Sequence, residues 1–253
     1  MSYWRQVNRL VFFTFTTLED TLTEEYQFEI ALDKYMKEKA PVLLDIDYTL
    51  FDNQKFILEK RRALARLLNI EPSRMEEIDM QAADATIQNK GTLVPLSYSM
   101  ELAKIIGQPE LKTKIEAVFD DKDIYLVAIY PETVSALKSL ITKFRLGIFS
   151  EGDTGLQLTK LDKTGISSYL RRELIFIFHG KIDGLKNVKL CRPSAVIDDK
   201  PQIIKLLAPL NIPYLIRVKR GRFSDEPTPK GPNIFEVSDL NEVVTILKKS
   251  DQF

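Results

Sequence analysis

Residues 42–50 read Val42-Leu43-Leu44-Asp45-Ile46-Asp47-Tyr48-Thr49-Leu50. A short, wholly apolar run of this kind has the pattern of a strand buried on both faces, as in a parallel sheet covered by helices. It runs straight into two carboxylates separated by one residue. In open parallel sheets ligands bind beyond the carboxyl ends of the strands, which is where Asp45 and Asp47 would emerge. Two carboxylates so close repel one another unless a cation holds them or one keeps a proton. Alone, the stretch would read as an acidic turn after a strand.

It is not alone. Ala195-Val196-Ile197 is a second apolar run, followed at once by Asp198 and Asp199. If these two strands are neighbours, three or four carboxylates converge on one point, and a bound magnesium ion is the simplest way to offset their repulsion. A third run, Leu146-Gly147-Ile148-Phe149, leads into Ser150, Glu151, Gly152, Asp153, Thr154 and Gly155. There a hydroxyl and glycine-rich backbone donors could cradle phosphate oxygens. A serine in this place is also an ordinary turn residue. The segment misses the nucleophile-elbow pattern, because Gly147 lies three residues before Ser150 rather than two.

Leu174–Phe178 and Tyr214–Val218, the latter after Pro213, complete the set of expected strands. Helical stretches separate them. Pro131 suits the first turn of a helix through Val134, Leu137, Leu140 and Ile141. Leu156, Leu158 and Leu161 mark another, stopped near Gly165, and Pro201 opens a third through Ile203, Ile204 and Leu207. Strands alternating with helices predict an α/β fold, a doubly wound parallel sheet covered on both faces.

The alternation breaks between Phe51 and Ile129, where the pattern is helix after helix: residues 57–68, 75–87, 96–106 and 111–119. The expected organisation is therefore an N-terminal extension over residues 1–40, with an amphipathic helix at 24–39. An α/β core follows, built from 41–52 and 129–253, with a helical insertion at 53–128 placed directly after the first strand. The loop 219–232, holding Arg220, Arg222 and three prolines, is expected to be exposed.

Composition removes much alternative chemistry. The 253-residue chain has one Cys (Cys191) and one His (His179), so neither an internal disulfide nor a zinc site of several Cys and His ligands can be assembled. Any Ser-His or Cys-His nucleophile would have to use His179, which reads as a strand-end residue. Lys plus Arg and Asp plus Glu both number 36, so no global field recruits nucleic acid or an anionic membrane, and Lys219, Arg220 and Arg222 make only one small basic cluster. The apolar run 10–15 is too short for a membrane span and lacks a small-residue cleavage site, so it reads as a buried or docking segment. A reducing cytoplasm is the expected compartment. No feature fixes an oligomeric state.

With these residues in place, the sequence resembles the haloacid dehalogenase (HAD) superfamily, chiefly its phosphatase branch. The first family motif, an apolar strand followed by Asp-x-Asp-x-Thr, is matched by Asp45, Asp47 and Thr49. The second, a strand ending in Ser or Thr, is matched by Ser150, and the fourth, an acidic pair at a strand end, by Asp198 and Asp199. The third, a lysine before that pair, is matched first by Lys181, with Lys186 and Lys189 as rivals. The link from this lysine to the acidic strand, residues 182–193, is shorter than the family commonly has. The resemblance covers roughly residues 41–220.

The resemblance implies that Asp45 attacks phosphorus and that Asp47 gives a proton to the leaving oxygen and later takes one from water. It implies magnesium held by Asp45, the backbone carbonyl of Asp47 and the acidic pair, with Asp199 the preferred side-chain ligand and Asp198 the alternative. Thr49, Ser150, the backbone near Glu151, and Lys181 would hold the phosphoryl oxygens. The helical insertion resembles the family's cap over small phosphorylated substrates. A dehalogenase of the same fold needs no second acid and no magnesium. A module that keeps the fold but only binds phosphorylated ligands or protein partners is the alternative from another class.

Overall fold

The computed structural model describes residues 39–249. The extension expected at 1–40 and its amphipathic helix therefore lie, but for Lys39 and Ala40, outside the described residues. Residues 40–249 form one compact unit.

Six parallel strands make one sheet: β1 (Pro41–Leu44), β2 (Arg145–Glu151), β3 (Leu170–Phe178), β4 (Ala195–Asp198), β5 (Tyr214–Val218) and β6 (Ile234–Val237). Their order is β3-β2-β1-β4-β5-β6. β1 is thus central, pairing Leu44 with Ile148 of β2 on one side and with Ile197 of β4 on the other. The acid-bearing ends of β1 and β4 emerge side by side.

Helices cover both faces. They are α1 (Asn53–Leu68), α2 (Pro72–Lys90), α3 (Pro95–Ile105), α4 (Lys112–Ala117), α5 (Lys122–Leu126), α6 (Thr133–Leu140), α7 (Thr154–Lys163), α8 (Leu185–Cys191), α9 (Pro201–Leu207) and α10 (Leu240–Lys249). Alternate side chains of β1 serve different cores, as the period of two requires. Val42 and Leu44 join a large apolar cluster with Leu137 of α6, Leu161 of α7 and Leu247 of α10, and with Leu64 of α1 and Leu102 of α3. Leu43 points the other way, to Val188 of α8 and Ile204 and Leu207 of α9. Gly147 lets β2 and β3 approach closely, since a Cβ there would stand 2.5 Å from both the side chain and the carbonyl of Leu174. Among the described residues no helix is long and apolar enough to cross a membrane.

The structure departs from the sequence expectation in several places, among them the unanticipated helices α5, α8 and α10. β3 begins at Leu170, with Arg171, Arg172 and Glu173 exposed, because an edge strand need not be apolar along its whole length. β6, the opposite edge, is an unanticipated strand whose residues are mostly half-exposed. α6 starts at Thr133, so Pro131 sits in the turn before the helix rather than in its first turn; that turn is closed by Thr133 N–H to the Tyr130 carbonyl at 3.0 Å. The loop 219–232 is only partly exposed, because Arg220 and Phe223 turn inward.

Candidate active site

The loop after β1 is built by converging backbone bonds. Asp45 N–H donates across to the Ile197 carbonyl at 2.9 Å, and the N–H groups of Leu50 and Phe51 both donate to the Ile46 carbonyl, at 2.9 and 3.0 Å. This tight turn puts Tyr48 at φ 59°, a region costly for a bulky residue. Two features from the loop after β5 accommodate it. Gly221 lies under the Tyr48 ring, where any Cβ would collide with it. Arg220 donates from Nε to the Tyr48 carbonyl at 3.0 Å and from Nη2 to the Thr49 carbonyl, while Nη1 bonds Glu132 at 2.5 Å. Its guanidinium also stacks 3.5 Å from the Tyr130 ring centre. The basic loop that reads as solvated in sequence thus braces the loop after β1.

Asp45, Asp198 and Asp199 are all buried, and each can place an oxygen within 4.8 Å of the others. One ammonium enters the cluster. Lys181, fully buried, lies 2.8 Å from Asp45 Oδ1 and also pairs with Asp198 Oδ2. Lys186 and Lys189, the rival lysines, are exposed. Lys181 sits in a single 3₁₀ turn, Lys181–Gly184, leading into the seven-residue α8, so the short connection is real. Asp198 Oδ1 accepts from Lys200 N–H at 2.9 Å. Asp199 receives nothing: neither oxygen has a hydrogen-bond partner, although both are buried.

The electrostatics follow from this inventory. Burial, reinforced by Asp45 and Asp198, pushes the Asp199 carboxyl up to about 9. Burial also raises Asp198, to about 6, against the pull of Lys181. Burial alone would lower Lys181, but Asp198 and Asp45 outweigh it and raise it. Three carboxylates share one ammonium, and the orphaned member faces the other two. A divalent cation there would offset the excess charge and supply the bonds that Asp199 lacks, so oxygen donors of this type fit magnesium.

Asp47 points elsewhere. Its Oδ1 accepts from Lys160 Nζ at 2.6 Å and its Oδ2 from Gln157 Nε2 at 2.9 Å. Gln157 also donates to the Glu151 carbonyl at 2.9 Å. Lys160 and Gln157 are buried in α7, where the ammonium lies 5.2 and 5.6 Å from the ring centres of Phe51 and Phe56. In the sequence only the leucines of this helix stand out. The available signal was two polar residues three apart, directly after the serine-bearing strand.

Ser150 is buried at the end of β2, beside β1, and Thr49 is buried with an unpartnered hydroxyl oxygen. The Glu151 carboxylate pairs with Lys200; burial would raise its pKa, but Lys200 prevails and lowers it. His179 is exposed beyond β3. Arg217 is fully buried in β5, donating from Nε to the Asp199 carbonyl at 3.1 Å and from Nη1 to the Glu226 carbonyl at 2.6 Å. It fixes the main chain behind the acidic pair. α1 and α2 face this end of the sheet across a cleft of about 530 Å³, lined on the sheet side by Asp47, Glu151, Gly152 and Lys160.

No family model matches the sequence, and no curated protein does. Solved structures do match. A haloacid dehalogenase-like hydrolase from Burkholderia xenovorans LB400 superposes with a TM-score of 0.64 at 18% identity, over 81% of this chain and 96% of that one. The HAD-hydrolase YfnB from Bacillus subtilis, bound to magnesium, gives 0.55 at 18% identity, over 83% and 99%. An L-2-haloacid dehalogenase from Xanthobacter autotrophicus with chloropropionic acid covalently bound gives 0.53 at 13% identity, over 83% and 98%. The chain has the HAD-like fold.

Proposed function

We propose that the chain is a magnesium-dependent phosphatase acting on a small phosphorylated molecule through an aspartyl-phosphate. The observation that carries this reading is Asp199, a buried carboxylate with no donor to either oxygen, set beside Asp45 and an Asp198 already paired with Lys181. A carboxylate displacing halide from a neutral carbon has no polyanion to neutralise and gains nothing from a cation at this place. A phosphoryl group does, because its oxygens carry charge beside an anionic nucleophile.

Asp45 and Asp199 side chains and the Asp47 carbonyl would hold the cation, with Asp198 behind them. When bound it supplies positive charge to the phosphoryl oxygens. The chain's own residues do the rest. Asp45 attacks phosphorus, and the bond to the leaving oxygen breaks as Asp47 gives that oxygen a proton. Water then attacks phosphorus, Asp47 takes its proton, and the bond to Asp45 breaks to release orthophosphate. Lys181, Ser150, Thr49 and the backbone near Glu151 would hold the non-reacting oxygens, each such donor worth ~3 kcal/mol in the transition state. The helices 53–128 serve as the cap that excludes water. One cysteine in the whole chain suits a reducing cytoplasm.

Orthophosphate release from an aryl phosphate tests the reading. Turnover should require magnesium, cease with a chelator, and vanish in Asp45→Asn, whose fold the near-isosteric amide preserves. Wild-type turnover in Asp45→Asn would end the covalent mechanism. Halide release from a chloroalkanoate without magnesium would instead assign the dehalogenase chemistry.

A further inference from the structure

The cleft between α1, α2 and the sheet end is unevenly charged, and its charges are nearly all engaged. Lys60 pairs with Asp79 at 2.5 Å, Arg61 with both Asp79 and Glu76 at 2.6 Å, and Lys160 with Asp47. Among the described residues lining the cleft, only Arg222, Asp84 and Asp153 make no ion pair; Asp153 caps its own helix by accepting from Leu156 N–H at 2.8 Å, and Arg222 lies over the Phe223 ring. The far wall carries an apolar stripe beside these paired charges. α2 turns Met75, Ile78, Ala82 and Thr86 into the interior, and a neighbouring stripe of the same helix, Met80, Ala83 and Ile87, lines the cleft. Met80 and Ile87 are 47% and 46% exposed. Leu93 and Ile57 extend this wall. Large apolar side chains left half-exposed on the inside of a cleft gain nothing until something apolar covers them.

We infer that the site selects phosphate monoesters whose alcohol is an uncharged, largely apolar body lying against Met80, Ala83 and Ile87. The inference rests on the phosphatase reading above and adds the substrate class to it. The cleft that carries this wall is the same cavity that reaches Asp47 and Gly152, so a molecule with its phosphate at Asp45 would extend along it. Its volume of about 530 Å³ exceeds what a two- or three-carbon phosphate fills. A second anionic group would meet Asp84 on the same helix, with the uncommitted cation limited to Arg222. The wall therefore works against bisphosphates and phosphorylated acids as well as for apolar alcohols.

A homologous series of n-alkyl phosphates, ethyl to octyl and kept below micelle formation, isolates this property, because the leaving-group chemistry is nearly constant along it. The value of kcat/KM should climb with chain length, up to about fourfold per methylene, until the wall is covered. Hexyl phosphate should outpace glycerol 3-phosphate, glucose 6-phosphate and a sugar bisphosphate. In the double variant Met80→Asn with Ile87→Asn the climb should flatten while the melting temperature holds, since both side chains are already half in water. A flat or falling series, a bisphosphate preferred to hexyl phosphate, or an undiminished climb in the double variant would overturn the inference while leaving the phosphatase reading intact if the aryl phosphate is still hydrolysed. Absence of turnover on every monoester, the aryl phosphate included, would remove both.

Discussion

Lys160 and Asp47 form an ion pair at 2.6 Å in which the ammonium is buried and the carboxylate keeps 26% of its exposure. The lysine is thereby committed to the cleft wall beside Phe51 and Phe56, and the acid is the more exposed partner of the pair. On the proposed mechanism Lys160 positions the group that handles the leaving-group proton. Lys160→Met keeps the apolar stem against the two rings, so the fold should persist. Turnover of alkyl phosphates should fall by about 10–100-fold, and that of an activated aryl phosphate much less, since a good leaving group needs little protonation. Adding Asp47→Asn should cost little more, as expected for two residues acting as one unit. Equal losses on alkyl and aryl substrates would show that Lys160 does not work through Asp47.

Asp199 sets the response to pH and cation. Its carboxyl, pushed up to about 9 by burial and then by Asp45 and Asp198, would titrate near 3.9 in the unfolded chain. Between those values the cation-free folded state holds a proton that the unfolded state has lost, so stability should fall as pH rises through this window. Magnesium needs the ionised form, so its apparent affinity should rise over the same range and its binding should release a proton. Urea unfolding with and without magnesium, followed between about pH 6 and 9, checks both signs. Asp199→Asn should remove the part of the pH dependence above that of Asp198, and most of the affinity, and unchanged affinity in that variant would mislocate the cation.

In the helices between β1 and α6, Asp79 accepts from Lys60 and Tyr98 Oη at 2.5 Å each and from Arg61 at 2.6 Å, and both Asp79 and Lys60 are buried. Asp79→Asn would leave the Lys60 ammonium without its counter-ion, a loss of about 3–5 kcal/mol. Replacing Lys60 by Met in the same chain should recover much of it. Burial would raise the Asp79 pKa, yet Lys60 and the hydrogen bonds hold it below the usual value, so this contribution should fade as pH falls through the depressed value. Denaturant midpoints of the wild type and the two variants measure this directly.

Arg220→Met removes both donors to the Tyr48 and Thr49 carbonyls while keeping some stacking on Tyr130. A loss of about 1–3 kcal/mol is expected, with a fall in turnover as the loop relaxes. Tyr48→Gly, which makes the positive φ easy, should restore part of the turnover in the Arg220→Met background. Failure of that rescue would mean that Arg220 acts by another route.

The sheet was legible where strands are buried on both faces and end in acids. Leu44-Asp45 and Ile197-Asp198 announce themselves because a central strand is apolar throughout and its carboxyl end is not. Edge strands hide, since Arg171, Arg172 and Glu236 face water and break the apolar run. Among Lys181, Lys186 and Lys189 the spacing could rank but not decide; only the path of the 3₁₀ turn shows which ammonium enters the carboxylate cluster. Lys160 and Arg220 were illegible for a plainer reason. Their partners, Asp47 and Tyr48, are more than a hundred positions away, 113 and 172 respectively, and no local pattern encodes a contact of that range.

The central place of β1 also governs the order in which the molecule can be made. β1 precedes both its neighbours in the chain, and Val42 cannot pair with Ala195 until β4 has left the ribosome. Through most of synthesis the strand carrying Asp45 waits with an open edge, a state prone to wrong pairing. The three carboxylates meet only when β4 docks, so their mutual repulsion opposes that step. Closing so long a loop is slow. A divalent cation present at that moment would favour the final docking step, and magnesium should then speed refolding as well as support turnover.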